Sequence, residues 1–272
     1  LRVSGLRIDS PHGDLRLGPQ HATDDPAGVG PVEAVLLAVK TWQVTDAARA
    51  IRPLIAPGTC VVPFQNGVEA VDELVAVLGR EPVLGGVAKI VSLIEGPGHI
   101  RELGGPTAAA FAELDDRRSD RVERLRDAFR RAGLEVETPP SIRAAIWAKF
   151  LFVASGGGVG AVTRMPIGVS RAVPETRRLL EGAMEEIRAV AATRGVRLPD
   201  DIVGRTMAFV DTLPAHGTAS LQRDIAEGRP SELDSWSGAV VRLGRESGVP
   251  TPIHAFIYDT LLPSELRARD RL

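Results

Sequence analysis

The chain has 272 residues, 44% hydrophobic and 25% charged, which suits one large or two modest globular domains and excludes whole-chain disorder or a collagen-like repeat. Lys plus Arg number 33 against 35 Asp plus Glu, a net charge of -2 that gives no electrostatic argument for nucleic acid or an anionic membrane. One cysteine, Cys60, and five scattered histidines supply neither an internal disulfide nor a metal-ligand spacing. No apolar run reaches the roughly 18 residues that span a bilayer, and a reducing, cytoplasmic setting is expected. Residue 1 is Leu without a leader pattern, so the true start is expected upstream.

The first half alternates strand and helix signals. Residues 1–17 read as two short strands around the turn-rich Ser10-Pro11-His12-Gly13-Asp14. A polar, Pro/Gly-containing stretch follows over 18–31. Val32–Val39 (VEAVLLAV) suits a buried parallel strand, and Thr41–Ile55 a helix stopped by Pro57-Gly58. Thr59–Phe64 is a further strand ending in Gln65-Asn66-Gly67, and Val68–Leu78 an amphipathic helix. Val83–Ile94 and His99–Glu102 read as strands, Arg121–Ala132 as a charged helix closed by Gly133, and Leu134–Thr138 as a last strand. Such alternation predicts an α/β domain with a Rossmann-like, mostly parallel sheet.

Pro139-Pro140 marks a change of character. Beyond it the pattern is all-helical: Ser141–Val153, then a loosened Ser155-Gly156-Gly157-Gly158, then Glu175–Arg194 with Pro174 in its first turn and Gly195 as its stop. Asp200–Leu213, Ala219–Glu227, Ser231–Ser247 and Pro252–Leu262 complete it, with Ser231 and Asp234 spaced as a capping pair. The predicted division is an α/β domain over residues 1–140 and a helical domain over residues 141–272.

Basic residues are nearly all Arg. Lys occurs only at 40, 89 and 149 and Asn only at 66, so the positions that keep them are informative. Lys40 and Gln65-Asn66-Gly67 follow predicted strands, where doubly wound sheets bind ligands. Lys40 could equally be a solvated helix start, and Asn66-Gly67 simple turn chemistry. Lys149 lies between Ile146-Trp147-Ala148 and Phe150-Leu151-Phe152-Val153. Desolvation there would tune it as an acid or base; the alternative is a snorkelling side chain. Glu232 suits the first turn of a helix, and Ser220 a helix cap. The glycines at 155–160 follow a helix and make a weak phosphate cradle.

Together these stretches resemble the ketopantoate reductase (2-dehydropantoate 2-reductase) family over about residues 1–265. They are VKTWQ at 39–43, QNG at 65–67, WAKF at 147–150, TRMPIG at 163–168, and SLQRD at 220–224 followed by SELD at 231–234. The resemblance implies NADP(H)-dependent reduction of a 2-oxo acid such as 2-dehydropantoate. Lys149 is then the proton donor, with Glu232 and Asn66 supporting it. Lys40, Gln65, Asn66 and Glu232 lie at the cofactor, and Ser220 and Asn66 at the substrate; no metal is implied. Lys149 is expected to face Asn66 across an interdomain cleft.

Two departures stand out. The family opens with a strand and a Gly-rich G-x-G-x-x-G turn, and nothing like it lies upstream of Val32, so roughly 30 residues or more, the first βα unit, are expected to be missing. The asparagines that follow the family's catalytic lysine are replaced here by Val153 and Gly157, which removes polar substrate contacts. Two rival readings remain: a non-catalytic binding or assembly relative, and a related β-hydroxyacid dehydrogenase, against which the SLQRD…SELD pairing argues. A helical second half of this type often presents apolar faces to a partner, so a homodimer is an open expectation that no single stripe demands.

Overall fold

Strand β1 (Leu6–Asp9) and strand β2 (Leu15–Leu17) open the computed structural model, which describes residues 1–105 and 107–272. There follow β3 (Ala34–Leu37), α1 (Val44–Ala50), β4 (Cys60–Pro63), α2 (Ala70–Leu78), β5 (Leu84–Lys89), β6 (Ser92–Gly96), β7 (His99–Glu102), β8 (Ala108–Glu113), α3 (Asp120–Arg131) and β9 (Glu135–Glu137). Seven helices succeed them: α4 (Ile142–Thr163), α5 (Ile167–Ala172), α6 (Pro174–Thr193), α7 (Ile202–Thr212), α8 (Ser220–Ala226), α9 (Ala239–Ser247) and α10 (Pro252–Ala268). The chain divides into two compact units. One comprises Leu1–Val39, Gln43–Gln65 and Val71–Ile142; the other comprises Lys40–Trp42, Asn66–Ala70 and Arg143–Leu272. Two short segments of the α/β half, carrying Lys40 and Asn66, therefore group with the helices rather than with the strands they follow.

The first unit is α/β with mixed pairing. β3 and β4 run parallel, and a parallel bridge between Val61 and Val83 leads on to the set β5-β8-β9. A second sheet has the order β2-β1-β7-β6. Parallel pairing also joins β1 to β7 and β8 to β9, but β1–β2, β5–β8 and β6–β7 are antiparallel. The pairing is thus less uniformly parallel than strand–helix alternation suggests: short turns return β1 to β2 and β6 to β7, and the β6–β7 hairpin brings β8 back antiparallel to β5 with no crossover helix between.

Strand β8 (AAAFAE) is buried throughout, although the sequence predicts no strand there. Alanine favours helices and is depleted in strands, so its local preference pointed away from a sheet. Placement between β5 and β9 overrode that preference. Phe111 packs edge-on against Phe129 of α3, centroids 5.1 Å apart, in a core with Cys60, Val62, Leu84 and Val122. Strand β3 is less buried than its apolar run predicted: Leu37 is enclosed, but Leu36 is 48% exposed. Among the described strands β3 pairs with β4 alone. Helix α3 carries the end signals its sequence promised. Ser119 caps Val122 N–H, Asp120 and Glu123 sit in the first turn, and Arg130 and Arg131 in the last.

The second unit is helical around one large core that includes Trp147, Phe150, Leu151, Leu180, Met184, Ile187, Leu221 and Trp236. Helix α4 corrects the sequence reading, which ended it at Val153 and found no bilayer-length apolar run. It continues through Gly156, Gly157, Gly158 and Gly160 to Thr163, and by length and composition it would reach across a bilayer. Of its apolar window 56% is buried within the protein, where it serves as the central core helix. The glycines do not break it because neighbours pack against three of the four. A Cβ at Gly157 would lie 2.6 Å from Trp236 Cζ3, one at Gly158 3.0 Å from Ile257 Cδ1, and one at Gly160 2.7 Å from Gln222 Oε1. Tertiary contact outweighs the glycine penalty of about 1 kcal/mol each.

Helix α10 likewise runs past Pro263 to Ala268, beyond the expected stop at Leu262. Its final turns are tied down: Glu265 accepts from Ser231 N–H at 3.1 and 3.0 Å, and Arg269 donates to Ser231 O at 2.8 Å. The expected Ser231–Asp234 capping pair does not form, because Glu265 takes the Ser231 N–H and Asp234 turns to Arg242 and Tyr258. Helix α5, unforeseen in the sequence, fills the short stretch after Thr163-Arg164-Met165.

Candidate functional site

The polar residues of the second unit converge on the segment Lys40–Trp42. Lys40 Nζ lies 3.2 Å from Asp224 Oδ2 on α8. The other oxygen of Asp224 accepts from Arg229 Nε at 3.1 Å and Nη2 at 2.7 Å. Asp224 is 9% exposed, so two cations offset the cost of burying its charge. Thr41 N–H donates to Glu232 Oε1 at 3.1 Å, and Glu232 is 8% exposed. Trp42 is flanked by two cations, Lys40 Nζ at 5.7 Å and the Arg269 guanidinium at 4.4 Å from the ring centroid.

The Asn66 turn is held in the same unit. Gly67 packs against the Thr41 methyl and Ser235 O. Three residues on from Asn66, Glu69 accepts from Arg242 Nη2 at 2.9 Å. Arg242 also donates to Asp234 at 2.9 Å, and Asp234 accepts from the Tyr258 hydroxyl at 3.0 Å. Burial works against the Arg242 charge, yet Glu69 and Asp234 hold its pKa above the ordinary value. Burial and the Asp234 charge together push the Tyr258 phenol up.

Glu232 stands two residues before a π-helical turn, Asp234–Gly238, in which Gly238 N–H reaches back to Leu233 O. Wide turns of this kind are frequent at functional sites. Here the turn buries Trp236 while Glu232 keeps its hold on Thr41.

Lys149 is half-buried on α4, between the buried Trp147 and Phe150. Residues at four and eight positions further along share its helix face, so Val153 and Gly157 continue it. Gly157 lies against Trp236 and Ala219, the residue before Ser220. The Lys149 face therefore leads to the start of α8. Ser220 occupies the first position of α8, whose N-cap is Ala219 without a side-chain bond, so its hydroxyl does not serve as the expected cap. Asp224 sits one turn beyond Ser220 on the same face.

Of the residues singled out by sequence, Lys40, Asn66, Lys149, Ser220 and Glu232 all fall in one compact unit. Gln65 falls in the other, where Nε2 donates to Leu37 O at 3.0 Å and Val39 O at 2.9 Å. That amide secures the end of β3, while its Oε1 is buried with no hydrogen-bond partner. Asp224, Arg229, Arg242 and the Thr41 N–H were not foreseen. Asp224 was within reach, since it stands four residues from Ser220 inside SLQRD. Arg229 meets Asp224 only five residues away, whereas Arg242 and the Thr41 N–H find Glu69 and Glu232 173 and 191 residues away and leave no local signal.

Within the second unit, Thr41 Oγ1 is a buried polar atom with no hydrogen-bond partner among the described residues and Lys40 is a cation beside it, groups of the kind a nicotinamide cofactor can bond. Among the described residues no group of three or more His, Cys, Asp or Glu is arranged to hold a metal ion.

The model of the ketopantoate reductase PanE/ApbA family matches residues 1–116, and that of its C-terminal part matches residues 141–265. A 2-dehydropantoate 2-reductase of Mesorhizobium japonicum is 31% identical, covering 93% of this chain and 82% of its own. The crystal structure of a 2-dehydropantoate 2-reductase from Geobacter metallireducens superposes with a TM-score of 0.89 at 28% identity, over 97% of this chain and 88% of that one. A PanE/ApbA family ketopantoate reductase from Ralstonia eutropha gives 0.87 at 30% identity, over 98% and 86%. The chain belongs to the ketopantoate reductase PanE/ApbA family.

Proposed function

We propose that the protein reduces the carbonyl of a 2-oxo acid, of the 2-dehydropantoate type, to the 2-hydroxy acid, with NADPH as reductant and Lys149 as proton donor. The observation that carries this reading is the joining of Lys40, Asp224, Glu232 and the Asn66 turn in one unit beside α8, to which the Lys149 face of α4 leads. The cofactor, when bound, supplies a hydride to the carbonyl carbon. The lysine ammonium meets the negative charge that develops on the carbonyl oxygen and gives that oxygen its proton, after which water restores the ammonium. Ser220 and Asn66 orient the acid. Glu232, fixed by Thr41 N–H, adds a negative charge to the same unit. Asp224 and Arg229 hold Lys40 beside Trp42 for the cofactor. Cys60, a lone thiol in β4 whose pKa burial pushes up, suits the reducing, cytoplasmic setting we propose.

The test is steady-state oxidation of NADPH and of NADH with a panel of 2-oxo acids. Turnover that depends on the oxo acid and is strongly reduced in Lys149→Ala is expected. No oxidation with either cofactor across the panel would overturn the reading.

A further inference from the structure

Asn66 opens a segment, residues 66–69, that bends and belongs to no helix or strand. Its course is therefore set by what holds it from outside. At Gly67 a Cβ would stand 3.6 Å from the Thr41 methyl and 3.8 Å from Ser235 O, ordinary contact distances. At Glu69, the last residue before α2, Oε2 accepts from Arg242 Nη2 at 2.9 Å. The other terminal nitrogen of Arg242, Nη1, donates to Asp234 Oδ1 at 2.9 Å, and the Tyr258 hydroxyl donates to the same oxygen at 3.0 Å. Asp234 stands two residues from Glu232, which accepts from Thr41 N–H. The contacts close a ring: from the Asn66 segment through Glu69 and Arg242 to Asp234 and Glu232, on to Thr41, and back to Gly67. Gly238 leaves the space in which it closes. A Cβ there would meet Tyr258 Cε2 at 2.8 Å, Asp234 Oδ1 at 3.0 Å and Arg242 Nη1 at 3.2 Å.

Resting on the reductase reading, we infer that Arg242 is a positioning residue of this site: by bridging Glu69 and Asp234 it sets the place of Asn66 relative to Glu232 and Thr41. The planar fork of a guanidinium suits that task, since its two terminal nitrogens point to different carboxylates in fixed directions, which a single ammonium does not offer. Tyr258 steadies the far end by fixing Asp234. Arg242 acts through the backbone of the Asn66 segment and does not need to touch the acid. A shift of about 1 Å in a group that aligns reactants can cost on the order of 10² in rate, so a contact three residues from Asn66 has leverage on turnover. A partly exposed ion pair with no such task is worth only about 0–1 kcal/mol of stability and nothing in rate.

Steady-state kinetics of Glu69→Gln, Arg242→Gln, Arg242→Lys and the double variant Glu69→Gln/Arg242→Gln, with the preferred nicotinamide cofactor and the best 2-oxo acid, decide the point. Each single change to Gln should lower kcat/KM by roughly ten-fold or more, mainly in kcat. The double variant should lose no more than the worse single, because both changes break one contact. Arg242→Lys, which keeps the charge but not the fork, should recover only part of the loss. Thermal midpoints should fall by about 4 °C or less, as for a partly exposed ion pair. A gain in Glu69→Gln beside a loss in Arg242→Gln overturns the inference, since those opposite signs belong to a cation that simply attracts the anionic acid. Unchanged kcat/KM in the folded variants overturns it too and leaves the pair a surface brace, as do additive losses in the double variant or full activity in Arg242→Lys. Each of these patterns requires turnover by the unaltered protein and leaves the reductase reading intact. No turnover of any 2-oxo acid by the unaltered protein removes that reading and the inference with it.

Discussion

The two compact units bury charge for different ends. In the first, Glu113 at the end of β8 is 4% exposed and clasped by Arg121 of α3 through two bonds of 2.7 Å, with the Ser119 hydroxyl also donating at 2.7 Å. That cluster fastens a helix to a strand. In the second, the buried carboxylates Asp224, Glu232 and Glu265 reach out to a lysine, a backbone N–H and the turn at Ser231, and so hold the Lys40–Trp42 segment and the approach to Glu232. Charge loss in the first unit should therefore register as lost stability, and in the second as lost turnover or binding.

The largest effect expected is on rate. Lys149→Ala should lower kcat by about 10²–10⁴-fold, the range of general acid catalysis, with cofactor affinity little changed. Lys149→Arg should not restore it, since a guanidinium keeps the charge but releases its proton reluctantly. Steady-state kinetics and a cofactor titration separate the two readouts.

Arg121→Ala tests the other side of the comparison. Leaving Glu113 buried and unpaired should cost about 3–5 kcal/mol in chemical denaturation, with kcat per folded molecule preserved. Burial pushes the Glu113 carboxyl up, but Arg121 and Ser119 hold it below the usual range. Its stabilisation is therefore present at neutral pH and is lost as pH falls through that lowered value. The variant should lack this part of the acid dependence.

His254 in α10 gives a pH effect of a different origin. It is fully buried, bonded to Ser237 and Ala183 O, and burial lowers its pKa to about 4. Between its ordinary 6.5 and 4 the unfolded chain binds a proton that the folded chain refuses, so stability falls as pH drops through that window, by at most about 3 kcal/mol. Glu186, which burial raises although it caps Ile253 and His254 N–H groups, opposes part of this loss. Thermal midpoints at a series of pH values should show the slope, and His254→Gln should flatten it.

Smaller effects sharpen the reading of the second unit. Asp224→Asn weakens the hold on Lys40 and Arg229 and should raise the cofactor dissociation constant by roughly ten-fold, as for a charge-assisted hydrogen bond, with little change in stability. Arg269→Ala removes one cation from Trp42 and should change the same constant only a few-fold, the worth of an exposed cation–π contact of about 0.5–1 kcal/mol. An equal loss from both variants would show that Trp42, not Asp224, positions the lysine.

Much of this architecture was legible in the residues. Helix α3 announces itself by Ser119, its acidic first turn and Gly133, and α6 by Pro174 and Gly195, because caps and breakers act within one turn. The rare Lys40, Asn66 and Lys149 and the spacing of Ser220 to Glu232 pointed to the residues that carry the family resemblance. Other features were decided only in three dimensions. The alanine strand β8 exists because β5 and β9 flank it, and α4 persists through Gly157, Gly158 and Gly160 because Trp236, Ile257 and Gln222 fill the space above them. The grip of Glu232 on Thr41 spans 191 residues and that of Arg242 on Glu69 spans 173, distances over which no local pattern operates. Local signals specify where elements begin and end. Which buried charge meets which partner is settled by packing, since a carboxylate is left in a core only where the fold delivers a donor to it.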